Sequence, residues 1–249
     1  MSMRKSRAVV IVNYEFSSSG SEEPLAPRRG AQREADKLSQ VLSSLSYTVH
    51  LYKNQTAKKI EEIYQQESQE EHGDYFVSIL SSHGEEGVIY GSEGKPVKLT
   101  RIFQTLSPQR SSALAGKSKI FFIQACRGGA LDSGVWLETD SAQPEEDSFS
   151  HYLALPDNTA VMFACSPGYS AFLNPAGSMF LQALLELLEG EERHLELARL
   201  LTRINWKVAF YCEARGTYKG SKEMPCFVTN MVHEVFPFSQ HAAEAAGSL

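Results

Sequence analysis

Two short stretches hold residues that could do chemistry together. "SSHGEEG" presents His83 followed by Gly84, and "IFFIQACRGG" presents Cys126 followed by Arg127 and two glycines. A thiol that attacks a carbonyl needs an imidazole to take its proton and later deliver it to the leaving group. The tetrahedral intermediate needs backbone N–H donors, and glycine lets the backbone come close to it. A blander reading competes, because a cysteine after an apolar strand is often a small buried hydrophobe. That reading suits Cys165, Cys212 and Cys226. His50, His72, His151, His194, His233 and His241 likewise read as surface or hydrogen-bonded residues.

The chemistry depends on elements that bring His83 and Cys126 to one place. "RAVVIVNYEF", "YTVHLYKN", "YFVSILSSHG", "SKIFFIQACRGG", "TAVMFACSPG" and "CFVTNMVHEVFP" read as strands. Helical spacing runs over Ala31 to Leu45, from Thr56 onward, over Ser178 to Leu188 and over His194 to Tyr211. "GVIYGSEGKPVKLT" reads as a hairpin turning at Ser92 to Gly94. Continuous apolar strands alternating with helices predict an α/β fold whose mostly parallel sheet is covered on both faces. In such sheets the working residues stand at the carboxyl ends of strands. His83 follows one strand and Cys126 another. Between Gly128 and Asp157 the pattern fails in an acidic stretch rich in Ser, Gly and Pro. A segment of that length without periodicity is usually functional or disordered.

Bulk composition removes several classes. The net charge of −6 and the lack of a basic stripe argue against a nucleic-acid binder. No apolar run is long enough for a membrane span, and the apolar part of "MSMRKSRAVVIVNYEF" is too short for a signal peptide. Four scattered cysteines without C-x-x-C suit neither a disulfide framework nor a zinc site, so no metal or cofactor is expected and a reducing cytoplasm fits best.

Taken together, "QACRGG" with a histidine upstream resembles the caspase signature. The resemblance extends through "SHGEEGVIYG", "KIFFIQACRGGALDSG", "SPGYSAFLNPAGSMFLQAL", "LLTRINWKVA" and "MPCFVTNMVHEVF", covering about Arg7 to Phe238. It is nearest to executioner caspases without a recruitment prodomain. The resemblance implies a three-layer sandwich around a six-stranded sheet, in a single catalytic domain. The large-subunit part would span 7–140, the end of the linker 141–157, the small-subunit part 158–238 and a frayed tail 239–249. By position, Cys126 would be the nucleophile and His83 the acid/base. The N–H groups of Gly84 and Cys126 would form the oxyanion hole, and a carbonyl near Ala26 would orient the imidazole. "LETDS" resembles a zymogen cleavage site after Asp140, cut by an upstream caspase, although an acidic Ser-rich loop can also be a solvated spacer. The implied partners are protein substrates and either a second copy or another caspase, paired through the last strand. The implied setting is apoptosis.

One position departs from the family. Caspases hold the substrate aspartate (P1) with two arginines and a glutamine, because a desolvated carboxylate calls for charge-assisted partners. Arg28 matches the first arginine, with Arg29 a one-step alternative, and Gln124 matches the glutamine. The second arginine is replaced by Leu173, in the stretch that also carries Ser170, Phe172, Asn174 and Met179. These residues imply reshaped neighbouring subsites. Two functions stay open: a caspase-type endopeptidase with weakened or altered P1 preference, and a weakly active decoy that pairs with an active caspase.

Overall fold

The computed structural model describes residues 5–17, 24–127, 155–167, 169–171, 173–174, 177–211 and 223–239. Its centre is a six-stranded sheet in the order β11-β8-β7-β3-β1-β2. These strands are β1 (Arg7–Val12), β2 (Thr48–Lys53), β3 (Tyr75–Ser81), β7 (Ser118–Gln124), β8 (Thr159–Phe163) and β11 (Cys226–Thr229). All neighbours are parallel except β11, which runs antiparallel to β8 at one edge. The expected mostly parallel α/β architecture is therefore the one observed.

Period-two alternation divides the strands between two apolar layers. Val10, Val12, Ile79, Ile120 and Phe122 face one side, against α1 (Ala31–Ser44), α4 (Met179–Glu189) and α5 (Leu197–Tyr211). Val9, Ile11, Phe76, Leu80 and Phe121 face the other, against α2 (Ala57–Glu67) and α3 (Leu99–Thr105). Each face has its own core, which is why the strands read as unbroken apolar runs. A small antiparallel sheet of β4 (Gly84–Glu85), β5 (Val88–Tyr90) and β6 (Pro96–Lys98) extends beyond β3. β5 and β6 form the expected hairpin, turning through Gly94 at φ 77°. A two-residue pair, β9 (Leu173–Asn174) and β10 (Gly177–Ser178), leads into α4.

Two boundaries differ from the sequence pattern, each for a local reason, and a third agrees with it. Thr56 caps α2 as its pattern suggests, accepting from Lys59 N–H at 3.2 Å. The helix expected from His194 instead begins at Leu197, because the Glu196 carboxylate accepts from the N–H groups of Ala198 and Arg199. Glu191–His194 form a separate 3₁₀ turn. The last strand stops at Thr229, where Asn230 turns its side chain back to Thr159 N–H at 2.8 Å.

The register places the chemistry. β3 and β7 are neighbours whose final residues, Ser81 and Gln124, are direct partners. His83 and Cys126 each stand two residues beyond that shared end. The parallel ladder thus delivers both to the carboxyl edge of the sheet.

Candidate active site

A cleft of about 490 Å³ opens at that edge, lined by Ala26, Pro27, Arg28, Arg29, Ser82, His83, Gln124, Ala125, Cys126, Ala171 and Leu173. His83, Cys126, Arg28, Gln124 and Leu173 are thus brought together. Met179, by contrast, is buried at the start of α4 and does not line this cleft. Nor does Ser170, which is half-buried, and Asn174 is described only by its backbone, which pairs with Gly177. Phe172 and Asp140 lie outside the described residues.

The imidazole is oriented by the main chain. His83 Nε2 lies 2.7 Å from the Ala26 carbonyl oxygen. A carbonyl can only accept, so Nε2 carries the proton and Nδ1 is the basic nitrogen. Phe16 packs on the ring at 4.8 Å between centroids. Burial pulls the His83 pKa below its ordinary 6.5, opposed by the bond to Ala26 and assisted by the charge of Arg28. The ring is therefore held neutral near pH 7. The Cys126 thiol contacts the Ala171 carbonyl at 3.7 Å.

Gly84 explains itself by space. A Cβ there would lie 2.6 Å from the Val88 carbonyl and 2.9 Å from Ala125 Cβ, with the Cys126 carbonyl at 3.3 Å. Only a residue without a side chain lets β4 pack this closely on the nucleophile's loop.

The cleft floor separates Arg28 from its neighbour. Arg28 is buried, donating to the Asn13 carbonyl at 2.8 Å and to Ser81 Oγ at 2.9 Å. Arg29 is exposed. Burial lowers Arg28 to about 10, partly offset by the negative field of Glu34. It stays cationic at neutral pH. Gln124 is buried, and its Oε1 has no hydrogen-bond partner among the described residues. A buried unpaired amide oxygen is costly unless something arrives to pair with it. Among the described residues the cleft thus has one buried cation, one under-satisfied amide and, at Leu173, an apolar wall. It can receive a single acidic or amide side chain beside a thiol and a neutral imidazole.

Two supports escaped the sequence reading. Arg127 is buried with its guanidinium on Glu86, on the Cys165 carbonyl and against Cys226 Sγ, stacked 4.2 Å over the Phe163 ring. Glu34, in the first turn of α1, accepts from the N–H and hydroxyl of Ser178. An acidic residue in a helix's first turn is a visible signal, but its partner 144 positions away is not. Of the remaining cysteines, Cys165 is buried as expected and Cys226 is partly buried. Burial pushes the Cys165 thiol up to about 12 and raises Cys226, while Cys212 lies outside the described residues. His72 is buried and bonded to the Glu67 carbonyl at 2.8 Å. Among the described residues no His, Cys, Asp and Glu cluster could hold a metal, and no helix is long and apolar enough to cross a membrane.

Comparison with known proteins agrees with this geometry. A family profile described as "Caspase domain" matches residues 5–237. Caspase-7 of Gallus gallus is 32% identical over 240 residues, covering 92% of this chain and 76% of that protein. Caspase-3 of Bos taurus is 34% identical over 234 residues, covering 92% and 82% respectively. Among solved structures, the crystal structure of caspase-1 from Spodoptera frugiperda superposes with a TM-score of 0.80 at 25% identity. That match covers 96% of this chain and 92% of the other.

Proposed function

The chain belongs to the caspase family of cysteine proteases, and from that premise we propose that it is an endopeptidase that cleaves proteins after aspartate, with that preference weakened by Leu173. The carrying observation is the shared cleft of Cys126, His83, Arg28 and Gln124. Cys126 Sγ attacks the scissile carbonyl while His83 Nδ1 accepts the thiol proton. The oxyanion develops against the N–H groups of Gly84 and Cys126. Imidazolium then protonates the leaving amine, and a water activated by the same ring releases the acyl group from sulfur. The Ala26 carbonyl stabilises the imidazolium through Nε2–H.

Arg28 and Gln124 receive the P1 carboxylate. With one buried guanidinium in place of two, that carboxylate is half-paired. A hydrogen bond to a charged group contributes roughly 1.5–3 kcal/mol, so turnover of an aspartyl substrate falls by about 10- to 150-fold relative to a complete pocket. Ser170, Phe172, Asn174 and Met179 shape the neighbouring subsites. The protein is made as a zymogen, divided after Asp140 by an upstream caspase into a large part (7–140) and a small part (158–238) that keeps the linker end 141–157, and works in the cytoplasm. Pairing occurs through the edge strand β11, with a second copy or another caspase.

A second reading has one observation in its favour, the apolar wall at Leu173. On it, the chain is a weakly active partner that modulates an active caspase. Scanning purified protein against tetrapeptides of varied P1, with Cys126→Ala as control, separates the two. Cys126-dependent cleavage is expected, strongest after aspartate or a near isostere. Its complete absence after cutting at Asp140 leaves the partner reading, which then requires altered activity of a co-expressed executioner caspase.

A further inference from the structure

Asn13, the residue that follows β1, is fully buried, yet both polar atoms of its side chain are engaged. Its Nδ2 donates to the Gln55 carbonyl and to the Tyr90 carbonyl, both at 3.0 Å. Its Oδ1 accepts from Gln55 N–H at 2.8 Å. Two donors and an acceptor on one short side chain call for a carboxamide. An ionised carboxylate has no donor, and a hydroxyl has only one. A buried group so fully paired rigidifies the segments that it joins.

Those segments hold the histidine and the pocket arginine. On one side, Tyr90 in β5 gives its N–H to the His83 carbonyl at 2.9 Å. The Tyr90 carbonyl that Asn13 grips also accepts from Ser82 Oγ at 2.7 Å, beside the residue preceding His83. On the other side, the Asn13 carbonyl accepts from Arg28 Nη1 at 2.8 Å. The Arg28 main-chain N–H bonds the Tyr14 carbonyl at 2.9 Å, which sets the short run from Ala26 to Arg28. That run carries the Ala26 carbonyl, 2.7 Å from His83 Nε2. Asn13 itself is fixed to the sheet, its N–H bonding the Ser81 carbonyl at 2.8 Å. The main chain of His83 and the carbonyl that orients its ring are therefore both held from one residue.

We propose that Asn13 is a positioning residue for both halves of the site: it keeps the His83 imidazole and the Arg28 guanidinium in one frame, so that proton transfer and recognition of the P1 side chain are set together. This rests on reading Cys126 and His83 as a peptidase site. Asn13 does not line the cleft; it acts through Tyr90 and Arg28.

Two variants test this. Asn13→Ala removes the side-chain bonds, and Asn13→Asp keeps the shape but not the pair of donors. The first measurement needs no turnover. In Cys126→Ala protein carrying isotope-labelled histidine, nuclear magnetic resonance should show His83 as one tautomer, protonated on Nε2. With either Asn13 change added, the two ring nitrogens should share the proton. The second compares peptides with Asp or Ala at P1. Both Asn13 variants should lower kcat about 10- to 100-fold, the worth of roughly 1 Å of misplacement. The Asp/Ala ratio of kcat/KM should fall about tenfold as well, the scale of roughly one hydrogen bond to a charged group. Ile204→Val, a destabilising change in the core beneath α5, should move none of these. An unchanged tautomer overturns the proposal, as does any case in which kcat or the Asp/Ala ratio stays at the parent's value. If neither variant folds, Asn13 is structural and the proposal falls. If the parent protein cleaves no peptide, the peptidase reading fails, and the tautomer alone decides whether Asn13 positions His83.

Discussion

Arg127, the residue next to the nucleophile, makes a two-pronged ion pair with Glu86, Nη2 to Oε1 at 2.8 Å and Nε to Oε2 at 3.1 Å. Glu86 follows β4 of the small sheet, so the pair fastens the histidine's loop to the cysteine's. Glu86→Ala would take the carboxylate from a guanidinium that is 3% exposed. Removing one member of a buried pair costs about 3–5 kcal/mol, and the 30% exposure of Glu86 places this case near the low end. Chemical denaturation should show a loss of about 3 kcal/mol, and peptidase activity should fall with it.

The depressed His83 predicts where activity fails in acid. Because burial favours the neutral ring, the acidic limb of kcat/KM should have its midpoint below 6.5. The folded state binds its proton less readily than the unfolded chain, so His83 also contributes stability that is lost as pH falls below about 6.5. Phe16→Ala opens the ring to water and should move the limb up toward 6.5, as measured in a pH–rate profile.

Leu173→Arg restores the missing guanidinium and should raise kcat/KM for aspartyl substrates at least tenfold, from the 1.5–3 kcal/mol typical of roughly one charged hydrogen bond. The Asp/Asn preference must widen with it. An unchanged preference would mean that Leu173 does not face the P1 side chain.

Glu34 predicts a stability change of opposite sense to that of an ordinary carboxylate. Its folded value near 7 lies above the usual 4.5, so the fold favours the protonated form. Stability from this group is complete below about 4.5 and declines as pH rises to about 7, because the folded state there binds the extra proton. Glu34→Gln should therefore stabilise the protein above pH 7 by on the order of 1–3 kcal/mol and leave it unchanged near pH 4. Denaturant midpoints at the two pH values read this directly.

Much of this was legible in the sequence, and what was not has a common cause. The strands carrying His83 and Cys126 are unbroken apolar runs because both faces of β3 and β7 are covered. Arg28 and Arg29 were indistinguishable by one step, since sequence does not state which of two adjacent arginines is buried. The Asn13 carbonyl and Ser81 hydroxyl decide it. The Glu34–Ser178 and Glu86–Arg127 contacts join distant segments whose meeting depends on the finished sheet. Local periodicity carries no trace of them.

The anchoring of Arg28 has an evolutionary consequence. Its guanidinium is held by a main-chain carbonyl after β1 and a hydroxyl at the end of β3, and neither depends on what stands at position 173. The opposite wall is a two-residue strand outside the main sheet. One wall is thus part of the foundation, and the other can be exchanged. A lineage could trade arginine for leucine there in a single step, redirecting its protease, and could return the same way.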